Sequence, residues 1–289
     1  NIYMNKNQHI SVLLMGGLGN QVFQFSFCKW LENIGYKVTV DTSNFTKFED
    51  TESLPFIHRK QIFPIEYFGF EETNSLLKFG YTVSENLKKT KVIPNFLNFT
   101  SEINDYNYKD LNFKKTNKAI GYWQDIHLLK SNKEYIKQCL SKNKKISESF
   151  KKNITGGSTA LHVRRGDYVN IDENLKNKFY KDSLNYCKKN IDNFNFNVFT
   201  DDFNWVDQNP IFKDAECIHS DDIGIENTID SFSKILLHEN FIVGNSTFSL
   251  IAAILNLSKG SHILVAEPWF RNKNRDLNIP DNWIKINNS

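Results

Sequence analysis

Four short clusters in this chain combine residue types that handle anions and hydroxyl groups. The most polar is His162-Val163-Arg164-Arg165-Gly166-Asp167. It follows an apolar run, so strand periodicity turns His162 and Arg164 to one face. A guanidinium there suits a diphosphate, because its planar fork grips two oxygens and stays charged as a leaving group departs. Asp167 could orient either arginine; a solvated turn with an Arg–Asp pair is the alternative. A second cluster is Gly16-Gly17-Leu18-Gly19-Asn20-Gln21. Its glycines permit close approach to the backbone, and a helix start offers N–H groups to an anion. A purely structural turn is the alternative, and the spacing is not GxGxxG, so a nicotinamide dinucleotide is not indicated. Thr200-Asp201-Asp202 invites either Mg²⁺ chelation or helix capping ahead of Trp205. Gly244-Asn245-Ser246-Thr247-Phe248-Ser249 supplies good helix caps, and the same helix start can hold phosphate oxygens.

Each cluster needs a strand to present it. His9 to Met15 reads as a buried strand ending at the first glycine turn. Phe23, Phe27, Trp30, Leu31 and Ile34 then share one helical face, Gly35 ends the helix, and Val38-Thr39-Val40 starts a second strand. That order is a βαβ unit, hence a parallel sheet. Residues 42–140 are aromatic and lysine-rich without a clean period. Ser141 to Gly157 is polar and reads as a linker, or as a solvated helix and turn within one domain. Strands are expected at Thr159–Val163, Asn197–Thr200, Glu216–His219, Phe241–Val243 and Ile263–Val265. Helices are expected at Phe179–Lys189, Thr228–His238 and Asn245–Leu257. The expected fold is therefore α/β, with Rossmann-like domains at 1–155 and 156–289. The C-terminal tail is expected to pack back on the N-terminal domain.

Bulk properties narrow the function class. The 289 residues are 40% hydrophobic with a net charge of +3, which fits a packed domain pair and an anionic small ligand but no nucleic acid. Cys28, Cys139, Cys187 and Cys217 are widely spaced and lack a CxxC pair, so neither a zinc site nor a disulfide framework is expected; Cys28 and Cys217 read as buried thiols. Asn1 to Gln8 is polar, and no apolar run reaches the length of a membrane span. A cytoplasmic protein is expected, with peripheral attachment at the inner face of the membrane as a further option.

In order along the chain, the four clusters resemble those of the glycosyltransferase family 11 α-1,2-fucosyltransferases. Gly121-Tyr122-Trp123-Gln124-Asp125 and Pro268-Trp269-Phe270 extend the resemblance over most of the sequence. One departure is Leu250-Ile251, where the family commonly has two tryptophans. The resemblance implies a GT-B architecture, two Rossmann-like domains facing a central cleft, with donor mainly on the C-terminal half and acceptor mainly on the N-terminal half. It implies inverting transfer of L-fucose from GDP-fucose to the 2-hydroxyl of a terminal galactoside, with no metal and no other cofactor. Its partners would be a nucleotide sugar and a glycan acceptor, lipid-linked if the protein associates with a membrane. Bacterial surface glycan synthesis is the implied setting. By motif, Arg164 would contact the β-phosphate, His162 the nucleoside, Asp230 the guanine, and Ser246 and Thr247 the diphosphate, with Asn245, Gly17 and Gly19 completing the donor set. Asn20 would lie near the reacting centre. Tyr122, Trp123, Gln124 and Asp125 are the acceptor candidates, Asp125 also a candidate base. Competing readings are another GDP-sugar transferase, a protein O-fucosyltransferase, or a non-catalytic nucleotide- or glycan-binding protein.

Overall fold

The computed structural model describes residues 8–46, 60–79, 100–103, 117–220, 225–258, 260–271 and 277–288. The chain divides into two compact units, Asn1–Asn132 and Lys133–Ser289. Unit 1 is built on strands β1 (His9–Leu13), β2 (Lys37–Asp41), β3 (Thr100–Ile103) and β4 (Asn117–Ile120), all parallel, in the order β2-β1-β4-β3. Helix α1 (Leu18–Asn33) joins β1 to β2. It is covered on two sides rather than on the one face expected. Phe25 stacks on Phe68 with centroids 3.7 Å apart, and Phe27 stacks on Trp123 at 4.1 Å. Two residues apart on a helix point to opposite sides, so this pair shows why the single-face pattern understates the burial. A short helix, α2 (Ser43–Thr46), follows β2, and α3 (Ile126–Ser131) closes the unit.

Unit 2 opens with α4 (Lys133–Leu140) and α5 (Lys144–Lys151). It continues through β5 (Ser158–Val163), α6 (Gly166–Asn170), α7 (Asn177–Asn190), β6 (Asn195–Thr200), α8 (Phe203–Asp207), β7 (Cys217–Ser220) and α9 (Ile225–Ile235). The last elements are β8 (Asn240–Gly244), α10 (Thr247–Asn256), β9 (Ile263–Glu267) and β10 (Ile284–Asn287). The parallel sheet runs β10-β9-β8-β5-β6-β7. Leu161, Val163, Phe179, Tyr180, Val198, Ile242 and Leu264 form the core on the face covered by α7. Both β5 and β8 are buried along their whole length, as central parallel strands covered on both faces are.

Two expectations are corrected here. The unit boundary falls between residues 132 and 133, upstream of 155/156, because α4 packs on α10 and α5 on α9, burying Ile136, Cys139, Leu140 and Ile146. The C-terminal strand β10 pairs with β9 in the second sheet. Cys217 is exposed, whereas Cys28, Cys139 and Cys187 are buried. Strand β7, which carries Cys217, is an edge strand and lacks cover on one side.

Candidate functional site

The order of the second sheet is the dinucleotide-fold order, with β5 central. From β5 the chain moves outward through β6 to β7; from β8 it moves the other way through β9 to β10. The direction reverses between β5 and β8, and open parallel sheets take ligands beyond the carboxyl ends of the strands at such a point. Two of the four clusters lie there. His162 is on the last turn of the β5 pleat and Arg164 follows it, while Asn245 and Ser246 leave β8 for α10.

Arg164 is held between two carboxylates. Its Nη2 donates to Asp167 Oδ1 at 2.5 Å, and its Nη1 lies 2.6 Å from Asp201 Oδ2. The second contact is a charge pair without hydrogen-bond alignment. Burial by itself would lower the guanidinium pKa, but Asp201, Asp167 and the Tyr168 phenol outweigh it and hold the pKa above the ordinary arginine value. Arg164 therefore stays cationic throughout any reaction near neutrality. Asp201 Oδ1 also accepts from the Arg165 backbone N–H at 2.7 Å. Arg165 pairs with Asp202 at 2.9 Å and stacks 4.0 Å above the Trp205 ring. Asp202 Oδ1 caps α8 by accepting from Trp205 N at 3.2 Å. The Thr200-Asp201-Asp202 block thus does the capping considered from sequence and, in addition, braces both arginines.

The start of α10 lacks a side-chain cap. Ser246 occupies the N-cap position, yet its side chain makes no capping hydrogen bond. Asn245 Nδ2 donates to Glu173 O at 2.9 Å, and its buried Oδ1 has no hydrogen-bond partner among the described residues. A buried acceptor of this kind marks a place for a donor group. His162 is buried beside this turn, its Nδ1 3.4 Å from Ser249 Oγ and its ring 5.5 Å from that of Phe248.

Several supporting residues escaped the sequence reading. Tyr168 bridges the two strand ends: its ring lies 5.6 Å from the Arg164 guanidinium, and its hydroxyl donates to Asn245 O at 3.3 Å. Arg271 clamps the loop after α6, with its backbone N–H on Glu173 Oε2 at 2.8 Å and Nη2 on the carbonyls of Asp172 and Asn174. Tyr168 sits one residue past a motif and could have been found. Arg271 is 98 residues from Glu173, and no local pattern signals it. Asp230 is placed differently from the rest: its carboxylate, 40% exposed, pairs with Lys234 at 2.7 Å and Lys145 at 3.3 Å. The Lys234 hydrogen bond leads the causes that lower its pKa.

In unit 1 the adjacent strands β1 and β4 each run into a motif, and the other motif residues gather beyond their carboxyl ends. Gln124 Nε2 donates to Asn20 Oδ1 at 2.7 Å, and Gln24 Nε2 to Gly121 O at 2.9 Å. Gly16 has φ +76°, and a Cβ there would lie 2.6 Å from Asn20 Nδ2, so that position requires glycine. Gly17 differs: its φ is −80°, and a Cβ would meet open space. Nothing among the described residues demands a glycine at 17. Gly17 is also the N-cap of α1 and gives that helix no side-chain cap. Gly19 is buried in the first turn. One acceptor candidate is corrected. Trp123 is 1% exposed and stacked on Phe27, so its ring belongs to the core. Asp125 Oδ1 caps α3 by accepting from His127 N at 2.7 Å and Leu128 N at 3.1 Å, which gives that oxygen a structural role. Tyr122 and Gln124 remain beside Gly16 and Asn20.

Two α/β units, each with its motif residues at the carboxyl ends of a parallel sheet, are the make-up of the GT-B glycosyltransferases. The glycosyl transferase family 11 model matches residues 9–287, and the chain belongs to that family. It is similar to an α-1,2-colitosyltransferase of Escherichia coli, 26% identical over 94% of this chain and 97% of the relative. A second relative, the O-antigen biosynthesis glycosyltransferase WbnK of Escherichia coli, is 24% identical over 94% of this chain and 99% of its own length. A solved family 9 glycosyl transferase from Veillonella parvula is 10% identical with a TM-score of 0.42, covering 97% of this chain and 86% of that one. The protein is a glycosyltransferase, with a nucleotide sugar and a glycan as its substrates. No helix among the described residues is long and apolar enough to cross a membrane.

Proposed function

We propose that this glycosyltransferase transfers L-fucose from GDP-fucose to the 2-hydroxyl of a terminal galactoside, with inversion, in the synthesis of a bacterial surface glycan. The observation that carries the donor half is the permanently charged Arg164 beside the uncapped start of α10 at the reversal point of the second sheet. Departure of GDP places negative charge on the β-phosphate. A fixed guanidinium and helix N–H groups stabilise that charge more in the transition state than in the ground state. This lets the reaction proceed without a metal, since Asp201 and Asp202 are engaged by arginines and a helix cap. His162, Asn245, Ser246 and Thr247 serve the donor. Asn20, Tyr122 and Gln124 serve the acceptor, whose hydroxyls match amide donors and acceptors. The relatives' names support the 1,2 linkage and the O-antigen setting.

A second reading has colitose in place of fucose, favoured by the name of the α-1,2-colitosyltransferase relative. The deciding experiment offers GDP-fucose and GDP-colitose separately to a panel of β-galactosides, followed by linkage analysis of the product. Fucose in 1,2 linkage is expected; transfer from GDP-colitose alone would replace the donor assignment, and GDP release without transfer would defeat the acceptor half.

A further inference from the structure

Arg164 does not sit in a positive pocket. Within its immediate cluster, the cations Arg164 and Arg165 meet the carboxylates of Asp167, Asp201 and Asp202. Each terminal nitrogen of the Arg164 fork faces a carboxylate oxygen, so a diphosphate reaching for both nitrogens meets two negative charges already at the guanidinium. Displacing one of the two carboxylates lowers that repulsion.

The two are built unequally. Asp201 directly follows strand β6, which is paired on both sides by β5 and β7, has a side chain 12% exposed, and is pinned a second time by the Arg165 backbone N–H. Asp167 lies on α6, a five-residue helix with no buried residue, and its side chain is 36% exposed. Its carboxylate touches the guanidinium from an element with little packing to hold it, and water is at hand to receive it. An ion pair of that exposure is weak, whereas one anchored by a buried strand end is costly to break.

Resting on the donor reading above, we infer that Asp167 and the donor diphosphate compete for Nη2 of Arg164, while Asp201 keeps Nη1 and fixes the direction of the fork. Asp167 is thus a phosphate stand-in, and Asp201 a positioning residue that acts through Arg164. The arrangement keeps a cation ordered and partly desolvated without a diphosphate and presents it in one orientation. It also weakens nucleotide affinity, which favours release of GDP after transfer.

The two carboxylates should therefore respond in opposite directions. Calorimetric titration of the intact protein with GDP, and separately with guanosine, reads the difference. Asp167→Asn should bind GDP about threefold more tightly than the parent, the weight of one half-exposed ion pair. Guanosine, which lacks the phosphates, should bind unchanged. Asp201→Asn should weaken GDP binding about tenfold, as loss of a buried charge-assisted contact does. If Asp201→Asn melts early, the Asp167→Asn arm alone decides. Weaker GDP binding by Asp167→Asn, or equal shifts with GDP and guanosine, would show that Asp167 only braces the loop, and the inference falls. Arg164→Ala separates this from failure of the donor reading: if it leaves GDP affinity intact, Arg164 is not a phosphate ligand, and that reading falls first.

Discussion

The two parallel sheets end alike in geometry and unlike in charge. Each presents its motif residues beyond the carboxyl ends of two adjacent strands, and each sends a strand into a helix whose N-cap, Gly17 or Ser246, provides no side-chain cap. Beyond the second sheet's strand ends stand Arg164, Arg165 and their three carboxylates; beyond the first sheet's stand the amides of Asn20, Gln21, Gln24 and Gln124. A guanidinium with carboxylates is equipment for a charge that changes during a reaction. Amides donate and accept without altering their charge, which suits a neutral polyol. Unit 1 also shows how a nucleotide-type feature is silenced. Asp41 ends β2, 22 residues beyond Gly19, where an acidic side chain in dinucleotide-binding folds takes a ribose hydroxyl. Here it is 1% exposed and occupied by Lys118 at 3.2 Å and the Ser43 N–H at 2.9 Å. The same fold motif thus serves two ligand chemistries through the side chains set at its strand ends.

That contrast breaks most visibly at Arg164. Arg164→Ala should lower kcat by about 10² to 10³, the usual cost of one preorganised donor to a developing oxyanion. The variant should stay folded, with a melting temperature lowered by a few degrees because the Asp201 carboxylate loses its charge partner. Near-normal turnover in a steady-state assay would remove the charged half of the contrast. A smaller effect is expected from the amide side. Asn20→Ala should raise the acceptor KM about tenfold, one lost hydrogen bond and one orphaned Gln124 amide, while leaving GDP affinity unchanged. If GDP binding weakened instead, Asn20 would belong to the donor.

The sequence exposed one half of this molecule far better than the other. In unit 2, strands lead into turns bearing Arg164 and Asn245, with His162 on the last residues of β5, and the apolar runs are long enough to read as buried strands. In unit 1 the strand β4 is Asn-Lys-Ala-Ile, too short and too polar for a period to show. The acceptor candidates illustrate a different limit. Tyr122-Trp123-Gln124-Asp125 carries aromatics and a carboxylate that look like sugar-binding equipment. Tertiary packing instead sends Trp123 onto Phe27 and turns Asp125 into a helix cap. The capping role was foreseeable from an Asp ahead of an apolar helix; the burial of Trp123 depends on Phe27, which is nearly a hundred residues away. Arg271 escaped for the same reason, since its value lies in a clamp between distant loops.

The Asp41 assignment can be sharpened by acid. Burial alone would raise its pKa, but hydrogen bonds from Ser43 and the charge of Lys118 outweigh that and hold the carboxyl below the ordinary aspartate value. With a folded pKa below the unfolded one, near 3.9, the stabilisation is fully present above that pH and is lost as pH falls through the folded value. Asp41→Asn should cost about 1–3 kcal/mol at pH 7, because Lys118 is left without its charge partner. Urea melts between pH 2.5 and pH 5, a range set by that unfolded pKa of about 3.9, should show a shallower acid limb in the variant. An unchanged limb would mean that Asp41 is not the group whose protonation loosens unit 1.

The smallest expected effect is no effect, and it tests the charged site from another side. Mg²⁺ favours six oxygens in near-octahedral array and is usually held by one or two carboxylates plus phosphate oxygens. Asp201 gives Oδ1 to the Arg165 N–H and Oδ2 to Arg164; Asp202 gives Oδ1 to Trp205 N and Oδ2 to Arg165 Nε. To chelate, the pair would have to release both arginines and a helix cap, giving up the cation that neutralises the leaving group. Excess EDTA should therefore leave the initial rate of transfer unchanged. A strict requirement for Mn²⁺ or Mg²⁺, restored on adding back the metal, would mean that these carboxylates trade arginine for metal during turnover, and Arg164 would no longer be the sole counter-charge.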